Sequence, residues 1–377
     1  MISERFLERF EGRSRVSFSQ YMEFALYDPE VGFYAAQGRA GRRADFLTSP
    51  EVGPLFGALV ARRLDQVWHE LGQPEPFVVC EVGAGPGTLA RSIALAAPEC
   101  SSALRYLMVE ISASQRGLHA DHLAGWIGEV DEHSVGEFIA SGSTVPTFAS
   151  TTDVPAAITG VVIANELLDN LPFEIVRHDD AGNFERLDVE LSGDAFDFDA
   201  SPVDLPAEVA RLVSATPAGE WVPWQDAARM WVRSMIDRID RGLLIVIDYG
   251  ASTAQLAHRP EMGWLRTFAN NERGGHPLDD PGSRDITTDV AIDQMSLDHI
   301  PSLLVTQAEW TRSLGIDELV DEGRRLWAER AHAPDVEALR ARSRIREAEA
   351  LCEVGGLGDF IVAEWPLGAT SRPTVGR

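Results

Sequence analysis

Four short apolar runs, each ending in a polar or glycine-rich turn, set the framework of this chain: Phe77-Val-Val-Cys-Glu81, Tyr106-Leu-Met-Val-Glu110, Val161-Val-Ile-Ala-Asn165 and Leu243-Leu-Ile-Val-Ile-Asp248. Hydrophobicity that is continuous rather than alternating predicts strands covered on both faces, as in a parallel sheet. Between the first two runs, Thr88-Leu-Ala-Arg-Ser-Ile-Ala-Leu-Ala-Ala has helical propensity and is stopped by Pro98. Strand, glycine turn, helix and strand make a βαβ unit. Repeated, the unit gives a doubly wound, Rossmann-like α/β sheet whose ligand crevice lies at the carboxyl ends of its strands.

The flanking pattern is different. Residues 1–75 read as a mainly helical lobe or lid, with a loop from Gly38 to Thr48 and a helix from Pro54 to Leu71. Residues 178–205 alternate apolar and polar positions around the turn signals Asp179-Asp-Ala-Gly182-Asn and Ser192-Gly-Asp194, which predicts an inserted β-hairpin; a helix follows from Ala227 to Arg241. Arg324 to Ala350 is charged and helical, and Gly358-Asp-Phe-Ile-Val-Ala-Glu364 reads as a last strand. The expected organisation is a lobe over 1–75, sheet domain over 76–177, insertion over 178–241, the rest of the sheet domain over 242–366 and a disordered tail over 367–377.

A chain of 377 residues, 45% hydrophobic and 24% charged, has the composition of a globular protein with one embellished domain or two modest ones. Its net charge of −26, from 59 acidic against 33 basic residues, repels phosphate backbones, so no nucleic-acid partner is expected; an acidic surface suits cationic ones. Every basic residue among those 33 is arginine. Without lysine there is neither a P-loop Lys nor a Schiff-base Lys, and arginine does not give up its proton near neutrality. Cys80, Cys100 and Cys352 are scattered and odd in number, and the histidines form no HxxxH or HxH pair, so neither a disulfide framework nor a metal site is expected. The N-terminus has no apolar h-region, and no apolar run approaches the ~20 residues that span a bilayer. A cytoplasmic protein without membrane contact is the expectation.

Candidate chemistry begins at Glu81-Val82-Gly83-Ala84-Gly85-Pro86-Gly87. Glycine permits positive φ in the turn and lets a ligand approach the following helix N-terminus. A dinucleotide fingerprint, GxGxxG, would need its third glycine where Thr88 stands. GxGxG with an acid two residues earlier fits S-adenosylmethionine better, because the Glu81 carboxylate can meet a cationic amino group while the helix end faces a carboxylate. Glu110 ends the second strand, where an acid accepts hydrogen bonds from both ribose hydroxyls; this suits either cofactor. The competing reading of the glycines is a tight strand-to-helix turn alone. Asp153, after a third strand at Val145 to Ala149, borders the adenine or else serves as a cap or solvated loop acid.

These segments carry a resemblance. The chain is similar to the MidA-like methyltransferases, which include a mitochondrial protein-arginine methyltransferase that assists assembly of respiratory complex I. The matching segments run almost end to end: Tyr21 to Tyr34, Asp45 to Gly57, Glu81 to Leu89, Val109-Glu110-Ile-Ser112, Ala164-Asn165-Glu166-Leu-Leu-Asp169-Asn-Leu-Pro172, Ile247-Asp248-Tyr249-Gly250, Asp285 to Val290 and Gly356 to Phe360. The resemblance implies a class I methyltransferase fold, S-adenosylmethionine bound by Glu81, Gly83, Gly85, Gly87, Thr88, Glu110 and Asp153, and Ser49 and Glu51 as candidates for lining the crevice. The chain departs from the family pattern at Ala44, at Leu167-Leu168 and near Asn270-Asn271, where a histidine is usual and His276 is close. These departures bear on the acceptor more than on the cofactor.

Methyl transfer is a direct displacement, so positioning supplies most of the acceleration. A guanidinium acceptor also needs carboxylates, because it stays protonated in water. Glu166 and Asp169, three apart, share one face if the segment after Asn165 starts a helix turn. Glu166 is the candidate acceptor clamp, Asp169 the second clamp or base, and Asn165 an orienting amide. Alternatively Asn165 caps the helix and both acids favour its N-terminus. Trp221, Trp224 and Trp231 read as core or as a docking surface. Three functions follow: methylation of a protein side chain, with arginine implied by the resemblance; methylation of a small molecule; or a non-catalytic binding or assembly role.

Overall fold

A computed structural model describes residues 2–36, 48–129, 134–140, 147–269 and 272–368. Most of the loop read from Gly38 to Thr48, the start of the Val145 strand, the departures Ala44, Asn270 and Asn271, and residues 369–377 of the expected tail lie outside them. The chain forms two compact units, each built from separated segments: Met1–Phe46, Glu166–Arg233 and Asp248–Ile300 make one, and Leu47–Asn165, Ser234–Ile247 and Pro301–Arg377 the other. Of the five segments read from the sequence, 1–75 falls partly in each unit.

The second unit is the α/β sheet. Its strands are β1 (Phe77–Val82), β2 (Leu104–Val109), β3 (Ile127–Glu129), β4 (Thr147–Thr151), β5 (Ile158–Asn165), β6 (Ile239–Asp248), β7 (Leu303–Thr306) and β8 (Ile361–Leu367), in the order β7-β8-β6-β5-β1-β2-β4-β3. From β6 to β3 every neighbour is parallel, and β7 runs antiparallel to β8. The four apolar runs are strands, extended by a few residues, and they are buried along almost their whole length. Helices α1 (Pro54–Glu70), α2 (Thr88–Ala96) and α3 (Ala113–His122) belong to this unit. The charged stretch near the end is two helices, Ile316–Arg330 and Val336–Leu351, not one. Pro334 falls in the break, and Asp335 caps the second helix by accepting from the Ala338 N–H at 2.8 Å.

The main sheet of the first unit is antiparallel. Strands Arg15–Ser17, Phe184–Ser192, Glu174–His178 and Val222–Trp224 lie in that order, and Ala195–Pro202 also pairs with Phe184–Ser192. Two consecutive hairpins thus stand where one was expected. Asp179 accepts from the Ala181 and Asn183 N–H groups to close the first; Gly193, at φ 66, opens the two-residue turn of the second. The strand Arg15–Ser17 was not anticipated in the helical reading of the N-terminus. Its core gathers Phe6, Phe18, Tyr21, Phe24, Phe173 and Trp264, with Trp221 packed against it, while Trp224 packs on a smaller cluster around Val176 and Val213. The helix expected from Ala227 to Arg241 spans Asp226–Arg238, and its last residues pass into β6.

Three residues across the sheet set its tightest constraint. Val78, Gly160 and Gly242 are register partners on β1, β5 and β6. A Cβ on Gly160 would stand 1.8 Å from the Val78 carbonyl oxygen, and one on Gly242 1.7 Å from the Gly160 carbonyl oxygen, at φ 150 and 149. Backbone on both sides cannot yield. Gly242→Ala is expected to cost about 3 kcal/mol, read as a lower urea midpoint at unchanged slope. Gly193→Ala, also at positive φ but with open space around it, should cost only about 1 kcal/mol.

Candidate functional site

The end of β1 passes into Gly83-Ala84-Gly85-Pro86-Gly87, whose glycines take φ 73, 54 and 83. Side chains are disfavoured at all three. Gly87 is also the N-cap of α2, and no side chain caps that helix end. Uncapped first-turn N–H groups favour an anionic ligand group. Thr88, the first helical residue, is half-buried and accepts through its carbonyl from the Ser92 hydroxyl at 3.0 Å.

The turn is stitched to the end of β2. Gly83 and Ala84 N–H groups donate to the Val109 carbonyl at 2.9 and 3.2 Å, and the Gly85 N–H donates to Glu110 Oε2 at 2.9 Å. Glu110 Oε1 accepts from the Ser112 N–H at 2.8 Å, while Arg116 donates to the carbonyls of Glu110 and Ile111 at 2.7 and 2.8 Å. Each carboxylate oxygen of Glu110 therefore holds one protein N–H and keeps acceptor capacity. Beside it, Ile111 is 68% exposed. Glu81 is turned to the interior, where its Oε2 accepts from the Tyr106 hydroxyl at 2.8 Å. Burial, followed by the charge of Glu81, pushes the Tyr106 phenol well up. Asp153 is exposed in the bend after β4, its N–H on the Thr151 hydroxyl at 3.2 Å.

In the other unit, the segment from Glu166 to Asn170 gathers acids. Glu166 takes φ 53, an uncommon conformation for a residue with a side chain. A single 3-10 turn follows from Leu168 to Asn170, with Leu167 at its cap position. Glu166 thus stands outside the helical turn, and the shared face with Asp169 expected from their spacing does not form; nor does Asn165, the last residue of β5, cap that turn. Asp248 does so instead, accepting from the N–H groups of Leu168 and Asp169 at 3.0 and 3.3 Å and from that of Tyr249 at 2.9 Å. The Tyr249 hydroxyl donates to Asp169 Oδ2 at 2.5 Å. Burial, then the carboxyls of Asp169 and Glu166, hold Asp248 well above the ordinary carboxyl range, against the pull of its N–H donors. Burial and Asp169 likewise raise the Tyr249 phenol.

Further contacts fix this group. The Asn170 amide and the Tyr34 hydroxyl both donate to Asp285, at 3.0 Å each, and the Tyr27 hydroxyl donates to the Asn170 carbonyl at 3.0 Å. Arg266 lies over the Tyr249 ring, 4.8 Å from its centroid, and pairs with buried Asp289, which Arg259 also engages. In the sequence Asp248 ends the fourth apolar run, while Tyr249 and Asp285 stand out only as parts of the matching segments. A polar pair directly after an apolar run is the signal for Asp248 and Tyr249; Asp285, after Pro281-Gly-Ser-Arg284, carries none.

Ser49 and Glu51 are occupied elsewhere. Ser49 is fully buried and donates to Gln307 Oε1 at 2.8 Å, and Glu51 returns to its own helix start by accepting from the Thr48 N–H at 3.3 Å. Thr48, rather than Ser49, takes the cap position. Among the described residues no group of His, Cys, Asp and Glu is arranged to hold a metal, and no helix is long and apolar enough to cross a membrane.

Comparison with known proteins gives the geometry its context. Residues 59–299 match the family described as "Putative S-adenosyl-L-methionine-dependent methyltransferase". The mitochondrial protein arginine methyltransferase NDUFAF7 homolog of Drosophila melanogaster is 28% identical over 291 residues, 72% of this chain and 64% of the fly protein, just under two thirds of its length. The mitochondrial protein arginine methyltransferase NDUFAF7 of Mus musculus is 26% identical over 80% of this chain and 71% of its own. Both names place the relatives in mitochondria, which lends the cytoplasmic expectation no support. A COG1565 superfamily member from Burkholderia thailandensis, crystallised with S-adenosyl-homocysteine, superposes with a TM-score of 0.77 at 25% identity, over 98% of this chain and 92% of that one. With the family matched over most of its length and its sheet ending in the glycine turn described above, this chain belongs to the S-adenosyl-L-methionine-dependent methyltransferases.

Proposed function

We propose that the enzyme methylates arginine side chains of a protein partner. The observation that carries the reading is the group formed by Glu166, Asp169 and Asp248, whose mutual repulsion helps raise the Asp248 carboxyl. A planar cation with several N–H donors relieves that repulsion, and a guanidinium is such a cation. The activity for which the fly and mouse relatives are named supports the same acceptor, and a net charge of −26 favours approach of a basic segment.

S-adenosylmethionine, when bound, supplies a methyl group on a positively charged sulfur. The residues of the second unit suit it: Gly83, Gly85 and Gly87 keep the turn free of side chains, the uncapped helix start at Thr88 receives a carboxylate, and Glu110 retains one acceptor position on each oxygen for a pair of ribose hydroxyls. Exposed Ile111 offers an apolar surface beside them, and Asp153 a polar one. Glu81, anchored by Tyr106, contributes negative charge toward the ligand's amino group. On the acceptor side Glu166 clamps the guanidinium and Asn165 orients it. The methylated product keeps its positive charge, so one proton leaves for each methyl gained; Asp169 takes it, with Tyr249 holding its other oxygen. Ser49 and Glu51 have no part here, because the Ser49 hydroxyl is held by Gln307 and the Glu51 carboxylate by the start of its own helix.

Two experiments test the halves separately. Calorimetric titration with S-adenosylhomocysteine should show saturable binding and none for NADH, and Gly85→Val, a branched side chain forced to positive φ, should weaken binding at least about tenfold with a cooperative melt retained. Glu166→Gln should leave that affinity within about twofold and reduce labelling of protein arginines by ~100-fold, measured with labelled methyl donor and cell lysate followed by mass spectrometry. Label confined to small molecules would replace the protein acceptor with a small one. Tight cofactor binding without any transfer would instead indicate a binding or assembly role, and arginine labelling that survives Glu166→Gln would remove the clamp.

A further inference from the structure

We propose that His119, backed by Ser150, is the positioning residue that sets the cofactor turn; the inference rests on reading Gly83 to Gly87 as the S-adenosylmethionine site. His119 lies on α3, is fully buried, and reaches the turn from outside the glycine motif. Its Nε2 stands 2.7 Å from the Gly85 carbonyl oxygen and its Nδ1 2.8 Å from the Ser150 hydroxyl at the end of β4. A carbonyl only accepts, so Nε2 carries the proton, and in the neutral ring Nδ1 accepts from Ser150. Burial holds the imidazole below its ordinary pKa, consistent with that neutral tautomer.

The Gly85 N–H is already committed to Glu110, so the imidazole fixes the other end of the same residue. Both peptide planes beside the left-handed Gly85 are thereby oriented. The ring also closes on Gly87: a Cβ there would meet His119 Cδ2 at 3.4 Å and Met108 Sδ at 3.1 Å. One side chain thus bonds Gly85 and occupies the space beside Gly87, and Ser150 holds it at its other nitrogen. Without the imidazole donor the buried Gly85 carbonyl loses its partner, and the turn can rotate away from the geometry that presents its N–H groups.

The two hydrogen bonds can be separated by substitution, because a glutamine amide reaches where Nε2 stood and an asparagine amide only where Nδ1 stood. His119→Gln keeps a donor for Gly85; His119→Asn keeps a partner for Ser150 and abandons Gly85. S-adenosylhomocysteine affinity, measured by calorimetry, should fall no more than about threefold in His119→Gln and about tenfold or more in His119→Asn. Ligand-free melting temperatures should drop by similar amounts in both, since each gives up the same ring packing. Equal loss of affinity in the two variants, or wild-type affinity in His119→Asn, overturns the proposal and leaves His119 a core residue. Ser150→Ala, which keeps the ring, serves if His119→Asn does not fold: a loss of about threefold supports the relay and none overturns it. Gly85→Val separates the two levels of the argument. If it too retains full affinity, the turn is not the cofactor site and the underlying reading fails; if it loses affinity while the His119 variants do not, only the role of His119 fails.

Discussion

A parallel strand buried on both faces has no room for polar chemistry along its length, so its functional groups collect at its ends. This constraint organises the chain. β1 ends at Glu81 and the glycine turn, β2 at Glu110, β4 at Thr151 and Asp153, β5 at Asn165 with Glu166 following, and β6 at Asp248 with Tyr249 following. The close backbone approach at Gly160 and Gly242 belongs to the same construction, because β5 and β6, which lead to the acidic segment, pass side by side through it.

Buried carboxylates are managed here in different ways. Glu81 has a tyrosine hydroxyl, Glu110 two backbone N–H groups, and Asp289 two arginines. Each arrangement offsets desolvation with donors or opposite charge. The group at Glu166, Asp169 and Asp248 differs, because burial and then the neighbouring carboxyls of Asp169 and Glu166 raise the affinity of Asp248 for a proton. Such an arrangement costs stability that an inert core would not spend. It becomes useful where a cation is to be held and a proton removed, which is what methylation of a guanidinium requires.

The left-handed Glu166 makes the acidic segment compact. Had residues 166–169 formed a regular helical turn, two carboxylates would have lined one face at the i,i+3 spacing. Instead the chain bends at Glu166, and Asp248 accepts from the N–H groups of the short turn that follows. The acids are then held by a residue about eighty positions later in the chain, which in turn depends on β5 and β6 being neighbours.

The sequence by itself determined the alternation of strands and helices, the glycine turn and the acids ending the strands, because continuous apolar runs and GxGxG spacing are local signals of burial and of positive φ. It also carried the break at Pro334, which the reading of one charged helical stretch passed over. What only the tertiary structure decided is which distant groups meet. His119 belongs to no motif of the sequence, and its contact with the Gly85 carbonyl depends on where α3 packs; Asp248 ends an apolar run, and its bonds to the Leu168 and Asp169 N–H groups depend on strand order. Ser49, a candidate for lining the crevice, is buried against Gln307. Local patterns fix conformation because backbone sterics and hydrophobicity act on neighbours in sequence. Hydrogen-bond partners separated by tens or hundreds of residues are chosen by packing, which no short window of sequence contains.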